Sequence, residues 1–348
     1  MSDALETDPS ETAVRRAIRR GGEWFLANQN DQFLHYRYDP IGREWAEARH
    51  AARELATLWA VAKLASFLDD ARFEALAKRG FDCFLPSVMH EPQRDLAVVA
   101  ITPRRIKLNY SAFMMLALLE HPIPGREETL AQLARGVMSL QQPDGHLRTF
   151  FNTLETSGTD FYPGQAMLAL MALHEATGEP AYLRCVERAF PYYRSYWRAD
   201  PTRAFVPWHS QALSRLYRAT GNPDIADFVF EMNDELAAGL THEAGPELFD
   251  FSSGAVVAVY IEGLNQAFRL AQDFGDRQRA ARYATLVRHG AEAVMALQCP
   301  TAEQNEADFD APAIGGFFLR PDELEMRIDH NQHAVMALMG ACEVGLLR

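Results

Sequence analysis

Residues 162–193 read YPGQAMLALMALHEATGEPAYLRCVERAFPYY, and this stretch decides the fold. From Gly164 to Leu173 the run is apolar on every side, the composition of a helix with neighbours all round. Thr177-Gly178-Glu179-Pro180 then ends one helix and opens the next, with glycine past a C-terminus and proline in a first turn. Beyond the turn, Tyr182, Cys185, Val186, Ala189, Phe190 and Tyr193 fall on one stripe, with Arg184, Glu187 and Arg188 opposite. Such a helix has one wet face.

The same unit recurs along the chain. Its turns are marked by Asp70, Gly125, Gly178, Gly221 and Gly275, at steps of 55, 53, 43 and 54 residues. A period of this size is the signature of a repeat architecture. Six apolar helices open with polar or aromatic clusters: Arg49-His50…Glu54, Asn109-Tyr110, Tyr162-Pro163-Gly164-Gln165, Trp208-His209-Ser210-Gln211, Tyr260-Ile261-Glu262 and Asp329-His330-Asn331-Gln332-His333. Five amphipathic helices follow the turns. A sixth is expected at the N-terminus, where Val14, Ala17, Ile18, Gly21, Trp24 and Phe25 form a stripe. Six inner helices wrapped by six outer ones make an all-α (α/α)6 toroid. Closure is expected over an open solenoid because the count stops at six and the odd helix comes first, beside the last inner one. The expected layout is one domain over residues 1–348, with residues 1–11 flexible.

Composition narrows the function. The 348 residues are 48% hydrophobic and carry 34 basic against 47 acidic side chains, a formal charge of −13. An acidic surface argues against nucleic acid or an anionic membrane as partner. No apolar run approaches a membrane span, and Met1–Thr12 lacks the apolar core of a secretion signal. Cys83, Cys185, Cys299 and Cys342 are far apart. A reducing, cytoplasmic setting is therefore expected. Oligomeric state is left open.

Parallel inner helices begin at one end of a ring, reached by long aromatic loops such as Gln141–Phe161 and Thr241–Gly254, whereas the turns at the other end are short. Long aperiodic connections carry function more often than short ones. The expected mouth collects Phe33, Tyr36, Tyr38, Trp45, Phe150, Phe151, Phe249, Phe251, Phe317 and Phe318 with carboxylates and imidazoles. Flat apolar faces beside proton-moving groups suit a sugar or polyol, as a small molecule or an oligosaccharide. Candidate catalytic groups are His209, Glu262, His330, His333 and Asp160. Candidate substrate contacts are Tyr110, His50, Arg49, His146, Arg148, Tyr162, Gln165, Trp208, Tyr260 and Asp329. Asp160 with Glu262 or Asp250 would form a hydrolase pair, and Tyr110 with Arg148 and a histidine a lyase set. Bland alternatives stand beside these: His50 bonded to Glu54, Glu262 paired with Arg269, His209 in a core hydrogen bond. His330 and His333 share a helix face, but no third ligand lies at a conventional spacing. No metal or cofactor is assigned.

The unit Tyr162-Pro163-Gly164-Gln165…Thr177-Gly178-Glu179-Pro180 resembles the six-hairpin glycosidase-like superfamily. That superfamily holds (α/α)6 glycoside hydrolases, some polysaccharide lyases and the N-acylglucosamine 2-epimerase family. His209-Ser210-Gln211-Ala212-Leu213, Tyr260-Ile261-Glu262 and Asp329-His330-Asn331…His333 are similar to helix starts that carry two histidines and a glutamate in the epimerases. The resemblance implies an epimerase, hydrolase or lyase, with two opposed imidazoles working on the two faces of a sugar. Ala212 stands where the epimerases usually hold a glutamate. Gln141-Gln142-Pro143-Asp144-Gly145 is also similar to stretches of terpenoid cyclases and prenyltransferases, but their acidic motifs are missing and Asp69-Asp70 is an ordinary turn. A terpenoid or peptide cyclase and a non-catalytic binding or scaffold protein are the rival readings.

Overall fold

The computed structural model describes residues 11–240 and 254–348. Helices alternate between two rings in chain order. They are α1 (Ala13–Ala27), α2 (Ala51–Leu68), α3 (Ala71–Phe84), α4 (Leu108–Glu120), α5 (Arg126–Met138), α6 (Tyr162–Thr177), α7 (Pro180–Ala199), α8 (Val206–Thr220), α9 (Pro223–Leu240), α10 (Val256–Phe274), α11 (Arg277–Ala296) and α12 (Ile328–Glu343). The even-numbered helices pack each on the next, from α2 round to α12, and α12 packs against α2. The ring is closed. The N-terminal helix α1 lies against α12 and α2 and completes the outer layer at the seam.

Sequence pattern and position agree. Every residue of α4 from Leu108 to Leu118 is buried, as is all of α6 from Pro163 to Met171. The outer helices bury one stripe each, and in α1 and α7 it holds every residue of the stripe read from the sequence. Each large side chain so buried contributes roughly 1.5–3 kcal/mol. Local chemistry sets the boundaries. Gly178, Gly221 and Gly275 end α6, α8 and α10 at φ of 73°, 68° and 81°, where a side chain would be strained. Asp70, Glu179 and Asp276 accept backbone N–H groups at the starts of α3, α7 and α11.

The long loops hold more order than an all-α reading anticipates. β1 (Arg37–Asp39) pairs with β2 (Glu44–Trp45) and, on its other edge, with β5 (Met326–Arg327). This small sheet ties the first loop to the last across the seam. β3 (Val88–Glu91) and β4 (Leu96–Val99) form a hairpin on α5. These strands occur where the sequence offers short alternating runs and turn residues instead of helical periodicity.

Candidate active site

The ring axis is located by a cavity of about 90 Å³ that takes Trp59, Leu116, Leu168, Gln211, Glu262 and Met336 from the six inner helices in turn. Stepping three or four residues toward the mouth along each helix keeps the same face. Those steps reach Phe113 and Asn109 on α4, Gln165 on α6, Trp208 on α8, and His333 and Asp329 on α12.

A band of rings crosses the lumen. Trp59 stacks near Phe113 at 6.4 Å, Phe113 meets Trp208 edge-on at 5.7 Å, and Trp208 meets the His333 ring at 6.0 Å. Beside this band, His333 Nδ1 lies 2.6 Å from Glu262 Oε1. Burial raises the Glu262 pKa above the ordinary carboxylate range, and the adjacent imidazole opposes that rise. The His333 side chain keeps 18% of its surface, against 4% for Glu262, so the imidazole is the reachable half of the dyad. Glu262 therefore has a hydrogen-bonding partner, though it is His333 and not Arg269.

Near the dyad's level, Asn109 and Gln165 are almost wholly buried. Their side-chain carbonyl oxygens have no hydrogen-bond partner among the described residues. A buried acceptor left empty costs about 1–3 kcal/mol, and a ligand hydroxyl would satisfy it.

Charge gathers at the rim. Asp329 is held by Arg53 at 3.0 Å and by Arg327 at 2.9 Å. Burial would raise its pKa, but His330, Arg53 and Arg327 together hold it below the usual value. Arg53 also donates to the Tyr36 hydroxyl. Lys107 sits over the rings of Tyr110 and Tyr162 at 5.7 and 5.8 Å. Its pKa is lowered by burial, then by Arg105 and Arg53. His50 stacks beside Tyr36, and burial followed by Lys107 lowers its pKa.

Several expected site residues lie elsewhere. His209 is one residue out of phase with Trp208 and points into the wall, with no exposed surface. Its Nδ1–H donates to the Phe205 carbonyl at 2.9 Å, its ring lies flat on Phe205, and its Nε2 is buried without a partner. Burial pushes its pKa down to about 3, so it is neutral at pH 7. Helical geometry is the reason: a residue adjacent to a lumen-facing one is turned by 100°. His330 is likewise buried beside Asp329, with its pKa lowered to about 3 and both ring nitrogens unpartnered. Arg49 pairs with the buried Glu54 beside Cys83 of the outer helix α3. The His50 backbone N–H, not its ring, donates to Glu54. Tyr260 is half-buried near Arg203. Asp160, His146 and Arg148 share a separate pocket against α7. Asp250, Phe249 and Phe251 lie outside the described residues. Among the described residues, no three His, Cys, Asp or Glu side chains gather as a metal site.

Arg53, Lys107, Trp59 and Phe113 also border the candidate site, and nothing in the sequence analysis marked them. Trp59 and Phe113 look like core in any apolar helix. Arg53 carries a signal: it is the one cation in the first two turns of α2, beside Glu54.

No protein-family model and no curated protein matches the chain by sequence. In shape it is similar to cellobiose 2-epimerase from Bacillus thermoamylovorans B4167, with a TM-score of 0.67 at 12% identity over 94% of this chain and 98% of that one. It is similar to the α-1,6-mannanase GH76A of Salegentibacter sp. HEL1_6, an inactive variant in complex with α-1,6-mannotriose. There the TM-score is 0.68 at 11% identity, over 95% and 99% of the chains. A D-mannose isomerase gives 0.67 at 12% identity, over 99% and 100%. The likeness is one of fold: the chain shares with these proteins the closed double ring of helices, the (α/α)6 toroid that its turn pattern implied.

Proposed function

We propose that this protein is a carbohydrate-active enzyme that takes a sugar or polyol into the mouth of the ring and moves a proton with the Glu262–His333 dyad. The observation that carries the reading is the dyad itself: a buried carboxylate 2.6 Å from a partly exposed imidazole, on the ring axis beside Trp208. Trp208 and Phe113 give the dyad the aromatic surroundings that suit the C–H side of a sugar. The unsatisfied carbonyls of Asn109 and Gln165 suit sugar hydroxyls.

Among the chemistries open to this fold, aldose–ketose isomerisation of an open-chain sugar suits the geometry best. Epimerisation at one carbon needs bases on both faces, and His209, the second imidazole, is sealed in the wall. Isomerisation needs one. In this scheme the His333 Nε2 removes the proton from the carbon beside the carbonyl, and Glu262 stabilises the imidazolium. The resulting enediolate takes a proton back on the neighbouring carbon from the imidazolium, whose N–H exchanges with water in between, while the hydroxyl proton moves between the two oxygens, so no external oxidant or reductant is used. Arg53 and Lys107 place positive charge at the rim, where oxygen becomes negative. The folds of a D-mannose isomerase and a cellobiose 2-epimerase support a sugar substrate.

A panel of aldoses and ketoses, read by chromatography, tests the proposal. Glu262→Gln and His333→Asn should each lower turnover by about 10²-fold or more with an unchanged unfolding midpoint. Full activity in both variants would end the assignment.

A further inference from the structure

The segment between α5 and α6 folds back on α7 and borders a second cavity of about 550 Å³, open to solvent on one side and away from the ring axis. Neither Glu262 nor His333 lines it. The segment is pinned. Gln141 donates to the Cys185 carbonyl at 2.8 Å, and the Leu147 N–H donates to the Tyr193 hydroxyl at 2.9 Å. Gly145 runs so close to α7 that a Cβ there would lie 2.1 Å from the Arg188 carbonyl oxygen. The cavity is therefore preformed.

Its walls have the parts of a sugar site. The Tyr192 ring has His146 tilted against it at 5.0 Å and Tyr196 nearly parallel at 6.3 Å. The Tyr196 hydroxyl donates to Asp160 Oδ1 at 3.0 Å, which fixes the carboxylate and leaves Oδ2 for a ligand. Two of the chain's exposed large apolar side chains, Leu154 at 86% and Phe161 at 40%, form the lips. The Arg148 guanidinium lines the same pocket. It spends one N–H on the Thr153 carbonyl at 2.8 Å and has no carboxylate partner among the described residues.

We propose that this pocket is a second saccharide site, built for a sugar unit that carries a carboxylate. The ring's C–H face rests on Tyr192, the carboxylate takes the fork of Arg148, and hydroxyls donate to Asp160. The site binds; it does not react. It stands independently of the chemistry at the ring axis, because the two share no side chain.

Titration of the Glu262→Gln protein with D-glucuronate and D-glucose, followed by calorimetry or ligand-observed NMR, tests it. Saturable millimolar binding of glucuronate is expected, with glucose about tenfold weaker or more. Arg148→Met should weaken glucuronate by about tenfold and leave the unfolding midpoint in place. Arg148→Lys keeps the charge without the fork, should fall between the two, and decides the matter if the methionine variant does not fold. Equal binding of the two sugars, no binding of either, or indifference to both Arg148 variants overturns the proposal. Loss of isomerase activity in Glu262→Gln with glucuronate binding intact separates this site from the one on the axis.

Discussion

Lowering the pH should unfold this protein through histidines that never reach solvent. His209 has no exposed surface, and its pKa in the fold is about 3, against about 6.5 in an unfolded chain. The unfolded state therefore binds a proton that the folded state refuses, so stability is complete above pH 6.5 and falls as the pH drops toward 3. Between pH 7.5 and 5.0 the linkage relation gives a loss of about 2 kcal/mol from His209. His330, also held at about 3 by burial against the pull of Asp329, adds a similar amount. About 4 kcal/mol is a large share of the roughly 5–15 kcal/mol that holds a domain together. His209→Asn isolates the first term. The asparagine amide can still donate to the Phe205 carbonyl but loses the flat contact with the Phe205 ring. At pH 7.5 the variant should be about 1–2 kcal/mol less stable than the parent. Its pH dependence should be shallower by about 2 kcal/mol, so the two proteins converge near pH 5. Urea titrations followed by far-ultraviolet circular dichroism at four pH values give both curves. Parallel curves, offset by a constant, would mean that His209 titrates normally and is not sealed in the wall.

Two further outcomes follow from the rim and the wall. Asp329→Asn removes the carboxylate shared by Arg53 and Arg327 and should cost about 1–2 kcal/mol by chemical denaturation at pH 7.5, since both arginines are partly exposed. The contribution it removes is present above the unfolded aspartate pKa and disappears as the pH falls through the depressed folded value, so parent and variant should draw together as the solution is acidified. Gly164→Ala places a methyl 2.8 Å from Trp208 Cβ and 2.9 Å from His209 Nδ1, forcing α6 and α8 apart. A loss of about 1–3 kcal/mol is expected in thermal unfolding, and no loss would mean that the two helices pack less closely than described.

The ring was legible because it rests on punctuation. Gly178, Gly221 and Gly275 follow helices, Pro180, Pro223 and Asp276 open the next ones, and the stripes of α1 and α7 bury as read. The site was half legible. Glu262, His333, Trp208, Gln165, Asp329, Tyr110 and Tyr162 were marked and do face the mouth or the axis. His209 was misplaced for a physical reason. On α8 Trp208 shares a face with Gln211 and Arg215, which line the axial cavity, and His209 shares one with the buried Leu213 and Leu216, but in the sequence the polar residues of the first face look like a solvent side. The tertiary ring sets that angle. Asp160, His146 and Arg148 were marked in different roles at the mouth and share a pocket of their own, because their loop bends toward α7 through the Gly145 contact, which no periodicity reports.

The central claim is that Glu262 and His333 act together as a proton shuttle at the ring axis. Incubating a ketose or aldose substrate with the enzyme in D2O and following deuterium at the carbons beside the carbonyl by NMR tests it most directly. The parent enzyme should interconvert the two sugars with deuterium entering at a single stereochemical face, and His333→Asn should abolish both conversion and exchange. Conversion without His333, or deuterium arriving on both faces of one carbon, would contradict a one-base shuttle at this dyad.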